Sequence, residues 1–450
     1  MRPAPADPFP ATLHQAPPVG PTYGWLTRAE TIACFAMLAL MSNALLAPLF
    51  APDQNPDNVP WLRLIWVPVY ATIAFLVVSR PIRMSRVAVP AVMGLILVGW
   101  AFVSSSWSIA PDVTFRRSIA LLMTTLFGLY LAARYDWREF LELLAGVFLL
   151  LAVGNYIACL LFPGFGIHAT IHPGAWKGLW YEKNMMGAQM VVGLLALSAA
   201  AVLAPNRRKL WIFGAALSAG LVILSTSTTA LLGMLLALGG MTALALFRRP
   251  GPLPVLVVWG GVAGVGAFLA LILLAPEVFF ALVGKDATLT GRTGIWEALF
   301  RRVELRPWQG YGFGAFWADP WGPRWFIKNE VQWDAPNAHN GWLDILVQLG
   351  IVGLIMAASH FVVSVAAALT RLRQGPEAYW AGLYMVLFAL FSISESTVMQ
   401  YNGISWVMYT ATMAKLLQWR GLATGAVPEA RPVKLFPDQE PPEMWGRATR

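Results

Sequence analysis

The sequence has few charged residues: Asp, Glu, Lys and Arg make up 12% of the chain, whereas hydrophobic residues make up 58%. A soluble globular domain carries about 25% charged residues. This deficit excludes an ordinary soluble enzyme and indicates that lipid surrounds much of the chain. Acidic residues are the scarcer kind, 23 against 32 basic residues, for a net charge of +9. Because the basic residues are scattered between apolar runs, nucleic acid is excluded as a partner.

Cysteine is almost absent, and both copies, Cys34 and Cys159, lie inside apolar runs. No disulfide framework is available to such a chain, and we expect both thiols to be buried packing residues. His168 and His172 stand four apart among Gly and Pro, without a cysteine or carboxylate cluster, so we expect neither a metal nor a cofactor. The N-terminal segment lacks the apolar core of a signal peptide, so we expect the first membrane helix to direct insertion.

Apolar runs are what the sequence has in abundance. A membrane-spanning helix needs roughly twenty predominantly apolar residues. The pattern predicts an all-α, polytopic integral membrane protein with about twelve transmembrane helices: 31–50, 61–79, 87–104, 118–133, 139–162, 185–204, 210–224, 230–247, 254–275, 341–369, 378–393 and 401–418. The weakest of these, 210–224 and 230–247, form one hairpin with its turn at 225–229. Without that hairpin the count falls by two and the later topology is unchanged.

Basic residues follow the alternation of the connections. Every even-numbered connection between predicted helices is basic, whereas the short odd-numbered connections 51–60, 225–229 and 394–400 contain no Lys or Arg. The positive-inside rule then places both termini in the cytoplasm. We expect the proline-rich tails, 1–29 and 421–450, to be disordered there.

Three odd-numbered connections carry basic residues in spite of this rule: 105–117, 163–184 and 276–340. The last is a large periplasmic loop between helices 1–9 (30–275) and helices 10–12 (341–420). Long loops cross a membrane largely regardless of charge, and loops of this length are often functional. We therefore seek function on the periplasmic face.

The large loop contains an amphipathic pattern and many tryptophans. Apolar residues at helical spacing predict a helix that begins near Thr293 and lies on the membrane surface. The residues of this pattern are Ile295, Trp296, Leu299, Phe300 and Val303. The loop's tryptophans suit an interfacial belt: Trp308, Trp317, Trp321, Trp325 and Trp333.

Candidate catalytic residues stand at the two ends of this loop. His339 precedes an apolar helix, and an imidazole at a membrane interface can accept a proton near neutral pH. Its alternative role is to cap or hydrogen-bond the loop. Arg292 stands before the amphipathic helix, where a guanidinium can hold phosphate through two N–H groups. The alternative for Arg292 is contact with anionic lipid headgroups.

Candidate substrate-binding residues lie in the other two basic connections. Lys183 and Asn184 begin an apolar helix and could contact a phosphate or a sugar hydroxyl, or simply cap the helix. Lys177 lies earlier in the same connection. Arg116 and Arg117 lie at the outer end of the fourth predicted helix, where interfacial anchoring is the alternative for at least one of them.

Five motifs occur in order along the chain: Trp176-Lys177-Gly178, Lys183-Asn184-x-x-Gly187, Gly291-Arg292-x-x-Ile295-Trp296, Gly310-Tyr311-Gly312-x-Gly314 and His339-Asn340-Gly341-x-Leu343-Asp344. Taken in this order they resemble the O-antigen ligase and polymerase superfamily, and they are most similar to its bacterial exopolysaccharide polymerases. A tail segment with Glu395-Ser396, Gln400, Asn402 and Trp406 is similar to the same branch. The resemblance spans roughly residues 30–418.

The resemblance implies a metal-independent, inverting glycosyltransferase of the bacterial inner membrane. Its donor would be an undecaprenyl-diphosphate-linked oligosaccharide and its acceptor a glycan or lipid, with membrane lipids and polysaccharide assembly proteins as partners. His339 would be the base, Arg292 would stabilise the leaving diphosphate with support from Lys183, and Asn184 and Asn340 would shape the site. Asp344 could orient His339, although five residues along one helix is a poor spacing for this.

One departure and several alternatives remain. The family often has a histidine before the Lys-Asn pair, where this chain has Glu182. The hairpin turn also lacks a basic residue found in many relatives, for which Arg116 or Arg117 could compensate. The same residues suit an O-antigen ligase that transfers finished glycan. A polysaccharide flippase would need ionisable residues at mid-bilayer depth, which are almost absent here. A non-catalytic assembly subunit is the third alternative.

Overall fold

The protein is described by a computed structural model that covers residues 24–50, 59, 61–170, 172–247, 252, 256, 260, 292–319, 321–332, 334–372 and 374–418. The predicted tail 421–450, most of the tail 1–29 and all but two residues of the predicted ninth helix, 254–275, lie outside the described residues. The described chain is all-helical, with one isolated bridge between Ile167 and Trp176 in place of any strand.

Thirteen longer helices are present in the described residues. They are α1 Gly24–Met41, α2 Leu62–Val78, α3 Ala88–Val103, α4 Pro111–Arg134, α5 Trp137–Leu161, α6 Lys183–Leu203, α7 Arg208–Leu224, α8 Thr228–Phe247, α9 Arg292–Val303, α10 Pro323–Val331, α11 Gly341–Leu369, α12 Pro376–Ser394 and α13 Ile404–Leu417. Short helical segments occur at Leu46–Phe50, Pro81–Met84, Ser85–Val87, Ser104–Ser106, Pro163–Gly166 and Pro205–Arg207. The predicted hairpin at 225–229 is present between α7 and α8.

Six helical stretches in the described residues are long and apolar enough to cross a membrane. They are Ser85–Ser106, Pro111–Arg134, Trp137–Leu161, Lys183–Leu203, Gly341–Leu369 and Pro376–Ser394. The shorter α2 exposes large apolar side chains, among them Phe75 at 70% and Val78 at 77%. Such exposed apolar faces suit contact with lipid. The protein is therefore a multi-pass membrane protein, and the full count of twelve spans stays a prediction.

The first predicted helix is divided in two. The chain is helical from Gly24, and α1 ends at Met41 before a short helix resumes at Leu46. Asn43 and Leu45 between them adopt positive φ, 57° and 66°, which a helix cannot accommodate. The predicted boundary at 31–50 was wrong for this reason: a polar turn interrupts the apolar run.

The packing separates into two cores. The larger core joins the long helices and buries both Cys34 and Cys159, as predicted. The smaller core belongs to the large loop and unites α9, α10, the segment 311–317 and the start of α11. The predicted amphipathic helix is present as α9, one residue earlier than expected. Its buried face, Ile295, Ala298 and Leu299, packs into this smaller core.

α11 is kinked near its start, and the large loop hydrogen-bonds to the backbone at this kink. Gly350 interrupts the helix with φ 67° and ψ −170°, and a Cβ there would clash with the carbonyl of Trp308. The carbonyls released by the kink accept hydrogen bonds from Tyr311 N, to Val347 O at 3.0 Å, and from Gly312 N, to Gln348 O at 2.9 Å. The first turns of α11, which follow His339, therefore pack with the large loop.

The tryptophans of the loop do not all form the predicted belt. Trp308 and Trp321 are exposed, at 66% and 84%, and Trp325 is partly exposed. Trp317 is buried because its indole N–H donates to Asp344 Oδ1 at 2.7 Å. The belt prediction was wrong for Trp317, and Trp333 lies outside the described residues.

Candidate active site

The candidate site is built around the connection between α12 and α13. Arg292, the first residue of α9, donates through Nη1 to the carbonyl of Ser394 at 2.8 Å and through Nη2 to Glu395 Oε1 at 3.2 Å. The side chains of Arg292 and Glu395 are only 16% and 18% exposed. The predicted phosphate-binding arginine is therefore held in place by a carboxylate and a carbonyl.

His339 lies against the second oxygen of the same carboxylate. Its Nδ1 is 3.5 Å from Glu395 Oε2. One carboxylate thus joins the two residues predicted to be catalytic, which come from opposite ends of the large loop. His339 itself has φ 47°, a left-handed conformation that is uncommon for residues other than Gly, although Asn, Asp and His adopt it more often than most. Strained backbone of this kind collects at functional sites because the surrounding contacts enforce it.

The turn that carries His339 is fixed by its neighbours. Asn340 Oδ1 caps α11 by accepting from the N–H groups of Trp342 and Leu343, at 3.0 and 3.2 Å. Buried Asp344 accepts from Ala338 N at 3.3 Å as well as from the Trp317 indole. Asp344 therefore positions the backbone next to His339, and the carboxylate that contacts the imidazole is Glu395. The structure gives Asn340 the role of helix cap, so its predicted contact with substrate stays a prediction.

Gly341 explains why the start of α11 can approach Glu395 so closely. Its N–H donates to the carbonyl of Glu395 at 3.1 Å. A Cβ at this position would stand 3.0 Å from the backbone nitrogen of Val398. The lack of a side chain at Gly341 is therefore required by the contact between the start of α11 and the connection that bears Glu395.

Asn402 anchors the far end of the connection that bears Glu395. Its Oδ1 accepts from the Tyr70 hydroxyl at 2.8 Å, and its N–H donates to Thr124 Oγ1 at 2.8 Å. Its carbonyl accepts from Asn43 Nδ2 at 3.1 Å. Three separate membrane helices or their ends therefore fix the segment 394–403.

Lys183 and Asn184 meet the turn of the α7–α8 hairpin. Lys183 Nζ lies 3.2 Å from Thr226 Oγ1, and Ser227 Oγ donates to Asn184 Oδ1 at 2.8 Å. Gly187 lets α6 approach α8, because a Cβ there would be 2.6 Å from that of Ala230. The hairpin turn, which has no basic residue of its own, thus receives the charge of Lys183.

Glu182 brings this second group of residues towards the first. Burial and the charge of Glu395 raise the pKa of the Glu182 carboxyl, whereas His339 acts in the opposite direction. Glu182 therefore lies within electrostatic reach of both. Its other neighbour is His168, 3.9 Å away. Burial and the charge of Lys177 lower the pKa of His168 to about 4, so this contact is not an ion pair at neutral pH.

The remaining predicted residues lie in different surroundings. Arg116 is exposed, and its Nε donates to the carbonyl of Asp112 in its own helix at 3.2 Å. Arg117 donates to the Gly314 carbonyl and lies 5.4 Å from the centre of the Tyr401 ring. Arg117 therefore ties the glycine-rich segment of the loop to the connection 394–403.

Lys177 stands beside an aromatic ring, with Nζ 5.8 Å from the centre of the Tyr181 ring. The structure thus brings Arg292 and His339 together, and places Lys183 and Asn184 on the hairpin turn next to Glu182. The residue that sequence reasoning missed is Glu395. Its only signal in the sequence was a carboxylate in a short connection, within a segment that resembles the family.

Comparison with known proteins gives the same family as the motifs. Residues 213–358 match the family model Wzy_C, described as O-antigen ligase, a range that includes Arg292 and His339 but not Glu395. The exopolysaccharide production protein ExoQ of Rhizobium meliloti (strain 1021) is 26% identical over 334 residues, which cover 69% of this chain and 73% of that relative. The predicted resemblance is confirmed as a similarity: residues 213–358 match the O-antigen ligase model, and most of the chain is similar to an exopolysaccharide production protein.

Proposed function

We propose that the protein is a membrane glycosyltransferase that polymerises undecaprenyl-diphosphate-linked glycan in exopolysaccharide or O-antigen biosynthesis. The observation that carries this proposal is the single carboxylate of Glu395 between Arg292 and His339. In this proposal Arg292 is the cation for the leaving diphosphate and His339 is the base for the acceptor hydroxyl, and both contact this carboxylate. The match to the O-antigen ligase family and the exopolysaccharide relative support the same function.

His339 acts as the base in this proposal. The acceptor oxygen attacks the anomeric carbon, the bond from that carbon to the diphosphate oxygen breaks, and the diphosphate leaves with the electron pair. The acceptor proton passes to His339, and one displacement inverts the anomeric centre. Because Nδ1 is turned towards Glu395, the proton is taken through Nε2, and the carboxylate stabilises the resulting imidazolium. General base catalysis of this kind contributes about 10²- to 10⁴-fold.

Arg292 stabilises the charge that develops on the diphosphate. A guanidinium has five N–H donors, and the contacts to Ser394 and Glu395 fix its orientation while using two of its nitrogens. A preorganised cation costs no rearrangement during the reaction, which makes such electrostatic stabilisation effective. Lys183 supplies a second cation from the hairpin turn. No metal is invoked in this scheme.

The proposed topology places this cluster on the periplasmic face of the bacterial inner membrane, with both termini in the cytoplasm. The beginnings of α6 and α11 and the end of α12 supply the cluster, so it lies at one end of the helices. The arginine-rich connections 80–86 and 134–138 lie at the other end, which the positive-inside rule assigns to the cytoplasm.

An O-antigen ligase is the second candidate, favoured by the description of the matching family. Polymerase and ligase share the donor and differ in the acceptor, which is a lipid-linked repeat for the first and a finished lipid for the second. Deletion of the gene separates them: single undecaprenyl-linked repeats accumulate without a polymerase, and full-length lipid-linked polymer accumulates without a ligase. A flippase is disfavoured because the candidate charges collect at one end of the helices.

Reconstituted protein with a defined undecaprenyl-diphosphate-linked repeat tests the catalytic proposal. We expect His339→Ala to lower the yield of elongated product by about 10²-fold or more, with normal insertion and thermal unfolding. Glu297→Gln, an exposed change on α9, is the matched control and should behave as wild type. Polymer synthesis at the wild-type rate by His339→Ala would overturn the base role.

A further inference from the structure

A cavity of about 560 Å³ lies at the end of the molecule opposite His339. α11 begins just after His339 and ends just before Arg371, and the cavity opens where α4 ends and α5 begins. Its volume falls within the range of about 300–1,000 Å³ that is usual for small-molecule sites. None of the candidate active-site residues line it.

Cations predominate among the charged residues of the cavity wall. The basic residues are Arg83, Arg86, Arg134, Arg371 and Lys415. The acidic residues are Asp136, Glu139 and Glu377. They come from three separate connections and the end of α13, so folding is what collects this charge in one place.

Two of the three carboxylates, those of Asp136 and Glu139, accept hydrogen bonds from backbone N–H groups in a helix cap. Asp136 Oδ1 accepts from Glu139 N at 2.7 Å, and Glu139 Oε2 accepts from Asp136 N at 3.1 Å. This capping box satisfies the first N–H groups of α5. Arg134 already has a carboxylate partner, because its Nε forms an ion pair with Glu30 at 2.8 Å.

Two arginines of the wall form no close ion pair in the described part of the chain. Arg83 Nη1 donates to the backbone oxygen of Arg134 at 3.4 Å, and the Glu30 carboxylate acts on Arg83 from a distance. Burial and the neighbouring cations Arg134 and Arg80 lower the pKa of the Arg83 guanidinium. Arg86 is exposed and forms no ion pair within the same described ranges. These cations are therefore crowded by like charge.

Lys415 is a third cation of the wall, and the nearby carboxylates of Asp136 and Glu139 only partly offset its burial. It is only 8% exposed. Its Nζ donates to the Tyr135 carbonyl at 2.6 Å and lies 5.0 Å from the centre of the Trp137 ring. A carbonyl dipole and a ring face contact this ammonium directly, and an anion in the cavity would add a further favourable charge interaction.

We propose that this cavity is a binding site for a phosphate-bearing anion. Guanidinium groups hold phosphate oxygens through paired N–H donors, and basic pockets between transmembrane helices bind lipid headgroups in this way. The phosphate can come from an anionic phospholipid in the surrounding leaflet or from a soluble phosphate compound. The site goes beyond the proposed glycosyl transfer and shares no residue with it.

Lipid binding to the full-length protein in detergent tests the site. Phosphatidylglycerol and phosphatidylcholine, each fluorescently labelled, are the probes. We expect wild type to prefer phosphatidylglycerol, and the double variant Arg83→Gln/Arg86→Gln to bind it about 30-fold more weakly. The control Arg207→Gln/Arg208→Gln removes the same charge from an exposed connection at the same end and should stay within about twofold of wild type.

Competition identifies the source of the phosphate. Displacement of the lipid by inorganic phosphate or glycerol phosphate at comparable concentration supports a soluble compound. Displacement by intact phosphatidylglycerol alone supports a headgroup. The proposal would be overturned if wild type bound the two lipids equally. It would also be overturned if the control variant lost as much affinity for phosphatidylglycerol as Arg83→Gln/Arg86→Gln. If the Gln pair fails to fold, Arg83→Lys/Arg86→Lys keeps the charge and should still weaken binding, because a lysine cannot make the paired contact; unchanged binding there contradicts the site.

Discussion

Two carboxylates, one at each end of the helices, each hold two basic groups. Glu30 on α1 contacts Arg80 Nη2 at 2.5 Å and Arg134 Nε at 2.8 Å, and accepts a further hydrogen bond from the Tyr130 hydroxyl. Glu395 contacts Arg292 at 3.2 Å and His339 at 3.5 Å. Both carboxylates join segments that are far apart in the sequence.

The two clusters differ in their partners and in their exposure. Arginine is permanently charged, so Glu30 stands between fixed cations, and its side chain is only 5% exposed. Glu395 has an imidazole as well as a guanidinium among its partners, and it is 18% exposed. The first cluster is therefore suited to holding helices together, whereas the second contains the proposed base.

Arg292→Lys should produce the largest effect on the second cluster. It keeps the charge but loses the planar group that contacts both Ser394 and Glu395. We expect turnover to fall by about 10²- to 10³-fold, the usual loss for one transition-state donor. Arg301→Lys is the matched control, since Arg301 is exposed on the same helix and pairs with Glu330. Product formation from the lipid-linked repeat measures both, and normal turnover by Arg292→Lys would refute the phosphate clamp.

Glu30→Gln should disturb the first cluster in a different way. It leaves Arg134 without its carboxylate in surroundings that are mostly buried. Removing one member of a buried ion pair costs about 3–5 kcal/mol of stability, and the partial exposure of Arg80 reduces this cost. A lower unfolding temperature in detergent, with normal turnover per folded molecule, is the expected result. A variant that is fully stable but inactive would assign Glu30 to catalysis.

Glu182→Gln should have the smallest effect of these changes, and the direction of its effect on stability follows from the raised pKa of Glu182. The raised pKa of Glu182 means that the folded protein binds this proton more tightly than the unfolded chain. The carboxyl therefore lowers stability as the pH rises from the unfolded value through the folded pKa. The amide removes that loss, so the variant should be slightly more stable than wild type at pH 7 and equal to it in acid. Unfolding temperatures across this pH range measure the difference; a variant less stable at pH 7 contradicts the assignment.

Much of the helical framework could be predicted from the sequence, because lipid-facing and buried helices both require long apolar runs. The cap of α11 could also be predicted, since Asn directly before an apolar helix is a local signal. The kink at Gly350 could not be predicted from the sequence. The run 341–369 reads as one continuous helix, and the break depends on hydrogen bonds from Tyr311 and Gly312 in the large loop.

The site was predictable only in part, for a similar reason. The histidine and arginine stood out because each is a lone functional group at the start of a helix. Their carboxylate partner did not, because Glu395 lies 103 residues from Arg292 and only folding brings them together. Lys183 was found, but its contact with the hairpin turn also depends on long-range packing of α6 against α8.

The central claim is that Glu395 unites the cation and the base of the active site, and Glu395→Gln tests it most directly. The decisive quantity is the turnover of Glu395→Gln with the defined lipid-linked repeat, compared with that of Glu30→Gln in the same assay. The account predicts a loss of about 10²-fold or more in Glu395→Gln, with an unfolding temperature close to that of wild type, and the reverse pattern in Glu30→Gln. Wild-type turnover in Glu395→Gln would contradict the account.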